Sequence, residues 1–139
     1  MIPGKRLDKL QPALLEYYHG ANPLSPAFLR TAYSIKAAIA NGFLKPGDLV
    51  PSTKILADLF QINPMTISKA LQDLNILGLI HGERGKKYVV IDKAEALVRL
   101  EIERDLKDHT LGYLSNTMKH FGITKTTMNQ WLKEINAKD

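Results

Sequence analysis

The residues of this chain best suited to chemistry are cations and short polar side chains, and their grouping suits a polyanion. Arg84, Lys86 and Lys87 place three cations in four positions, with Gly82 and Gly85 among them. Apolar runs flank this loop, Leu79-Ile80-His81 before it and Tyr88-Val89-Val90-Ile91 after it. The pattern reads as a β-hairpin with a cationic tip, suited to phosphates or a minor groove. Upstream, Met65, Thr66, Ser68, Lys69 and Gln72 share a polar helix face nearly free of acid. A helix of that shape fits a major groove about 12 Å wide, with its N-terminal residues nearest the base edges. Ser52 and Thr66 are assigned as donors to phosphate, and Lys54 as a phosphate or base contact. Asn63, Pro64, Met65, Ser68 and Lys69 go to the groove floor or wall, and Arg84, Gly85, Lys86 and Lys87 to the hairpin tip.

These residues need a scaffold, and the apolar spacing supplies one. After Ser52, a good N-cap, Ile55, Leu56, Leu59 and Phe60 mark one buried helix face. Gln61-Ile62-Asn63 is a tight turn. Asn63-Pro64 then restarts a helix, with Asn as N-cap and Pro at N1, where its missing N–H costs nothing. In that second helix Ile67, Leu71, Leu74 and Leu77 face inward, and Gly78 supplies the residue that ends it. Two helices joined by about three residues form a helix-turn-helix, and the hairpin adds a wing.

The order of these segments resembles the DNA-binding domain of the GntR family of bacterial transcription regulators, over residues 26 to 91. The resemblance is carried by Asn41-Gly42-Phe43-Leu44-Lys45-Pro46-Gly47-Asp48, Pro51-Ser52, Thr66-Ile67, Ala70-Leu71, Leu77-Gly78-Leu79-Ile80 and Arg84-Gly85-Lys86. Asn63-Pro64-Met65-Thr66 is similar to the YtrA-like branch, which also has a short C-terminal region. Many family members have arginines at the positions of Pro64 and Ser68, where they read guanines, so their operator sequence does not transfer. Lys87 stands where a second wing glycine is usual, which restricts how deeply the tip enters a minor groove. The resemblance implies a repressor that blocks transcription, with a ligand or partner shifting the relative placement of two readers.

Around the reader the sequence divides into residues 1–24, an N-terminal arm; 25–92, the winged helix-turn-helix; and 93–139, a helical dimerisation region. The arm holds a short helix from Leu7 to Tyr18, interrupted near its start by Pro12. It reads equally as a docking arm for a partner subunit or as a loosely attached surface helix. The next helix, from Ser25-Pro26, carries Phe28, Ala32, Ile35 and Ile39 on one stripe. Asp92-Lys93-Ala94-Glu95 has the form of a capping box, opening a helix of about 27 residues. On it Leu97, Leu100, Leu111, Leu114, Met118 and Phe121 fit a heptad, beside a second stripe of Val98, Ile102, Leu106 and Tyr113. Thr124 caps a last helix whose Met128, Trp131, Leu132 and Ile135 are spaced to fold back on the long one. The expected fold is mainly α with a small β-hairpin, a winged helix-turn-helix followed by a two-helix dimerisation unit. The rival reading of Phe121 to Met128 as a second helix-turn-helix is weaker, because the preceding helix is far longer than such units use.

Composition agrees with a nucleic-acid binder. In 139 residues, 19 Lys and Arg stand against 14 Asp and Glu, a net charge of +5 and a pI near 9.4. The surplus lies mainly on the reader's side of Asp92, with 11 cations against 7 acids in residues 1–92 and 8 against 7 in residues 93–139. The absence of cysteine excludes a disulfide framework and thiolate zinc ligands. No apolar run approaches the roughly 18 residues of a membrane span, and the first residues lack a secretory apolar region, so cytoplasm is expected. His19, His81, His109 and His120 are scattered, and no nucleophile motif occurs, so an enzyme and a cofactor are not expected. Glu101, Glu103, Asp105, Asp108 and His109 read as a solvated acidic face rather than a metal site. The expectation is a sequence-specific DNA-binding regulator that reads a pseudo-palindromic operator as a homodimer, no membrane involved. A small-molecule effector stays open, because the large ligand domains of other branches do not fit in the 47 residues from Lys93. The alternative is a winged-helix module that meets an acidic protein partner instead of DNA.

Overall fold

The computed structural model describes residues 4–82 and 86–137. It forms two compact units, the first ending at Leu100 and the second running from Glu101. In the first lie α1 (Gly4–Gly20), α2 (Ala27–Ala40), α3 (Thr53–Phe60), α4 (Pro64–Ile76), β1 (Ile80–His81) and β2 (Val89–Val90). Helix α5 (Ala94–Asp105) begins there, a π-helical turn (Leu106–Thr110) follows, and α6 (Leu111–Phe121) and α7 (Lys125–Ala137) complete the chain.

The core of the first unit is where the helical stripes meet. Leu10 and Leu14 of α1, Ile35 of α2, Leu56 of α3, and Ile67, Leu71 and Leu74 of α4 are fully buried. Each such aliphatic side chain contributes roughly 1.5–3 kcal/mol by leaving water. Two residues of the expected inward faces lie elsewhere: Ile55 is 43% exposed and Leu77 51%. Ile55 lines a cleft on the opposite side of the first turn of α3 from the core, and Leu77 sits at the C-cap of α4, where the chain turns away.

Helix α1 departs from the expected arm. It runs unbroken from Gly4 to Gly20 with Pro12 inside it. Proline removes one backbone hydrogen bond there, and the loss is offset by burying Leu10, Ala13, Leu14 and Tyr18. Tyr18 stacks on Phe60 of α3, ring centroids 4.4 Å apart, and the Arg30 guanidinium lies 4.5 Å over the other partner of that stack, Tyr18. The helix is thus part of the first unit's core rather than a separate arm.

The hairpin is antiparallel, Ile80 opposite Val90 and His81 opposite Val89. A third segment joins it, with Leu49 bridged to Val89. The capping box at Asp92 does not form. Lys93 adopts a left-handed φ of 65°, and Glu95 pairs with Arg99, one turn ahead, instead of reaching back. Ala94 and Val98 bury the start of α5 in the first unit, where Arg99 donates to the Ala40 carbonyl at 2.7 Å.

In the second unit no described residue is fully buried. Helices α6 and α7 meet across a turn capped by Gly122 (φ 65°), with the Ile123 N–H donating to Met118 O at 2.9 Å. Thr124 caps α7, its Oγ1 accepting from the Thr127 N–H at 3.2 Å. Of the four residues expected to fold back, Met128 lines a groove shared with α6, while Trp131, Leu132 and Ile135 remain 44%, 50% and 59% exposed.

Candidate nucleic-acid interface

The two helix caps set the geometry. Ser52 Oγ accepts from the Ile55 N–H at 3.2 Å, and Asn63 Oδ1 accepts from the Met65 N–H at 2.8 Å with Pro64 at the first helical position. Gln61 closes α3 in the left-handed conformation, φ 57°. The turn is therefore three residues long, and α4 presents its N-terminus outward. Met65 is 74% exposed there, and Asn63 and Pro64 are exposed beside it.

A cleft of about 580 Å³ lies between the first turn of α3 and the wing. Ser52, Lys54, Ser68, Lys86 and Lys87 line it, over an apolar floor that includes Ile55 and Tyr88. Residues from three separate stretches of the sequence, around Ser52, Ser68 and Lys86, are thus brought to one concavity. The α3 N-terminus, through Ser52, Thr53 and Lys54, borders the same space, and the partial positive charge of a helix N-terminus favours an anion there. Arg84 and Gly85, the expected wing tip, lie outside the described residues.

Two expected contacts have other partners. The Lys69 ammonium lies 4.3 Å from the centroid of the Phe28 ring of α2, and it does not line the cleft. Ser68 accepts from Gln72 Nε2 at 3.2 Å, so Gln72 braces a residue of the cleft wall. Thr66 is half-buried on the same helix.

Three positioning residues escape a reading by periodicity. Asn75 Nδ2 donates to Gly82 O at 3.0 Å and ties α4 to the base of the wing. Gly82 itself is needed by space, since a Cβ there would lie 2.6 Å from Lys87 O and 2.9 Å from the Tyr88 ring. Asp48, 5% exposed, accepts the Lys45 N–H at 2.7 Å and is paired with Arg6. Burial alone would raise its pKa. The Arg6 hydrogen bonds, the Lys45 N–H and the Arg6 charge outweigh that and hold it below the ordinary value.

Residues 29–90 match the family described as bacterial regulatory proteins, gntR family. The HTH-type regulator YhcF of Bacillus subtilis is 30% identical over 108 residues, 78% of this chain and 88% of its own. The chain belongs to the GntR family. It is accordingly a winged helix-turn-helix, DNA-binding transcriptional regulator. The HTH-type transcriptional repressor YtrA of Bacillus subtilis is 28% identical over 113 residues, 81% of this chain and 86% of that one. A GntR-family regulator from Listeria monocytogenes has a similar solved structure, TM-score 0.60 at 28% identity, covering 81% of this chain and 97% of that one. These similarities extend beyond residues 29–90, so the likeness of this GntR protein to its relatives is not confined to the reader.

Among the described residues, no helix is long and apolar enough to cross a membrane. The acidic stretch of α5 and the π turn holds pairs one turn apart, Lys107 to Glu103 at 2.8 Å and His109 Nδ1 to Asp105 at 3.2 Å. No group of three or more metal-ligating side chains is found among the described residues.

Proposed function

We propose that this protein is a cytoplasmic, sequence-specific transcriptional repressor that binds a pseudo-palindromic operator as a homodimer, with residues 93–139 as the dimerisation region. The observation that carries the reading is the bare apolar surface of the second unit. Phe121 is 77% exposed, Leu111 53% and Tyr113 75%, alongside the exposed face of α7. So much apolar surface in so short a segment calls for a cover, and a second copy supplies one with two-fold symmetry. Leu97 and Leu100 of α5 are exposed as well, 40% and 52%. The name of YtrA as a repressor supports the direction of regulation.

In this reading the cleft seats a stretch of phosphate backbone. Ser52, Thr66 and Lys54 meet phosphates, Asn63, Pro64, Met65 and Ser68 face the major groove, and Arg84 with Lys86 and Lys87 serves the flanking minor groove. The groove between α6 and α7, about 560 Å³ and lined by Leu114, Met118, Ile123 and Met128, gives a small-molecule effector a place to act at the dimer seam.

The test is selection of bound sequences from random DNA duplexes at two salt concentrations, run beside sedimentation of the protein. Enrichment of a two-fold symmetric site by a dimer supports the proposal. Trp131→Glu with Leu132→Glu is expected to give monomers that lose most affinity for the full site and keep that for a half-site. A monomeric wild-type protein, or no enrichment at either salt, would turn the reading toward a protein-interaction module.

A further inference from the structure

The segment from Gly47 to Ser52 serves both walls of the cleft. Its backbone pairs with β2, Gly47 N–H donating to Val90 O at 2.8 Å, Val90 N–H to Asp48 O at 2.9 Å and Val50 N–H to Tyr88 O at 2.9 Å. Two residues past Val50 the same segment becomes Ser52, the cap of α3. Whatever fixes Asp48 therefore fixes the wing base and the α3 N-terminus together.

The Asp48 side chain is only 7% exposed, and one of its partners comes from outside the family-matched residues. Arg6 of α1 donates through both terminal nitrogens, Nη1 to Oδ2 and Nη2 to Oδ1, the latter at 3.2 Å. Nη1 also donates to Phe43 O at 3.4 Å, so the guanidinium grips the turn before the strand at two points. A bidentate pair of this kind fixes orientation as well as distance. Helix α1 is a firm base for it, because Leu10, Leu14 and Tyr18 sink its next two turns into the core.

We propose that Arg6 is a positioning residue for DNA binding. Acting through Asp48, it sets the wing base against the α3 N-terminus without touching DNA itself. The inference rests on the reading of the cleft as the DNA interface. Loss of Arg6 leaves a buried carboxylate half-partnered, and the strand beneath the wing then shifts toward water to solvate it.

Three full-length variants test this against a merely stabilising role: Arg6→Ala, Arg6→Lys, and Ala13→Gly, which weakens α1 and leaves the pair intact. Each is assayed well below its melting temperature for affinity to the selected duplex and for hydroxyl-radical protection of the minor groove flanking each half-site. Arg6→Ala is expected to bind about tenfold more weakly and to lose the flanking protection. Arg6→Lys is expected to recover part of both, and Ala13→Gly to match wild type at a comparable loss of melting temperature. Wild-type binding and footprint in Arg6→Ala would overturn the proposal, as would an equal loss in Ala13→Gly. A wild-type protein that leaves no footprint at all would instead remove the interface reading beneath it.

Discussion

The Lys69 ammonium sits 4.3 Å from the centroid of the Phe28 ring, joining the exposed side of the reading helix to the N-terminal turn of α2. A cation over a ring face is worth about 0.5–1 kcal/mol at an exposed site. That contact competes with any phosphate for the same charge. Lys69→Met and Phe28→Leu are each expected to lower stability modestly, and the double variant to fall short of their sum by about 0.5–1 kcal/mol. Denaturant unfolding of the four proteins measures the coupling. Strict additivity would show that the stack contributes nothing.

Lys54 stands exposed at the cleft. Lys54→Ala and Arg84→Ala are expected to weaken DNA binding and to reduce the slope of log affinity against log salt by about one each. Oligomeric state and melting temperature should stay within error of wild type. A fall in melting temperature that parallels the loss of binding would mark these residues as structural.

Gly82→Ala should act on the wing alone. The added methyl would press on Lys87 O at 2.6 Å, a backbone atom that has no rotamer to escape into. A cost of about 1–3 kcal/mol is expected, as for other overpacked sites. Weakened DNA binding should accompany it, because the same clash displaces Lys86 and Lys87. Thermal unfolding with a binding titration tests both halves, and a variant as stable as wild type would show that the hairpin base yields.

Asp48 predicts an acid dependence of stability. Its pKa in the folded protein is held below the ordinary aspartate value by the Arg6 pair and the Lys45 N–H, against the effect of burial. The unfolded chain therefore takes up this proton first, and stability falls as pH drops through the ordinary carboxylate range toward the lower folded value. Above that range the contribution is fully present and flat. Melting temperature measured from pH 7 down to pH 3 should fall less steeply in Asp48→Asn than in wild type, from a lower starting point. Parallel curves would mean that the Arg6 pair does not tune this group.

Much of the reader was legible because its signals are local. Ser52, Asn63-Pro64 and Gly78 announce helix ends by their own backbone and side-chain preferences, and each occupies the expected cap or turn. The stripe from Ile67 to Leu74 likewise follows from spacing within one helix. Pro12 and Asp92 misled for the opposite reason. The local penalty at Pro12 is outweighed by the burial of Leu10 and Leu14 around it, and the backbone at Lys93 turns left-handed before a capping box can close. Arg6 and Asp48 are separated by 42 positions, and nothing in either residue's neighbours signals the other.

The sequence by itself determined the helix-turn-helix, the hairpin with its basic tip, the charge that accompanies them and the family to which they belong. Those follow from short-range propensities, caps and periodicity, all written within about a dozen neighbouring residues. The tertiary structure decided which of the cations share a cleft, that Lys69 rests on Phe28, that Leu49 adds a third line to the wing, and that α1 is core. These depend on where separate elements come to rest, which is fixed by packing of buried side chains and not by any single segment's preferences.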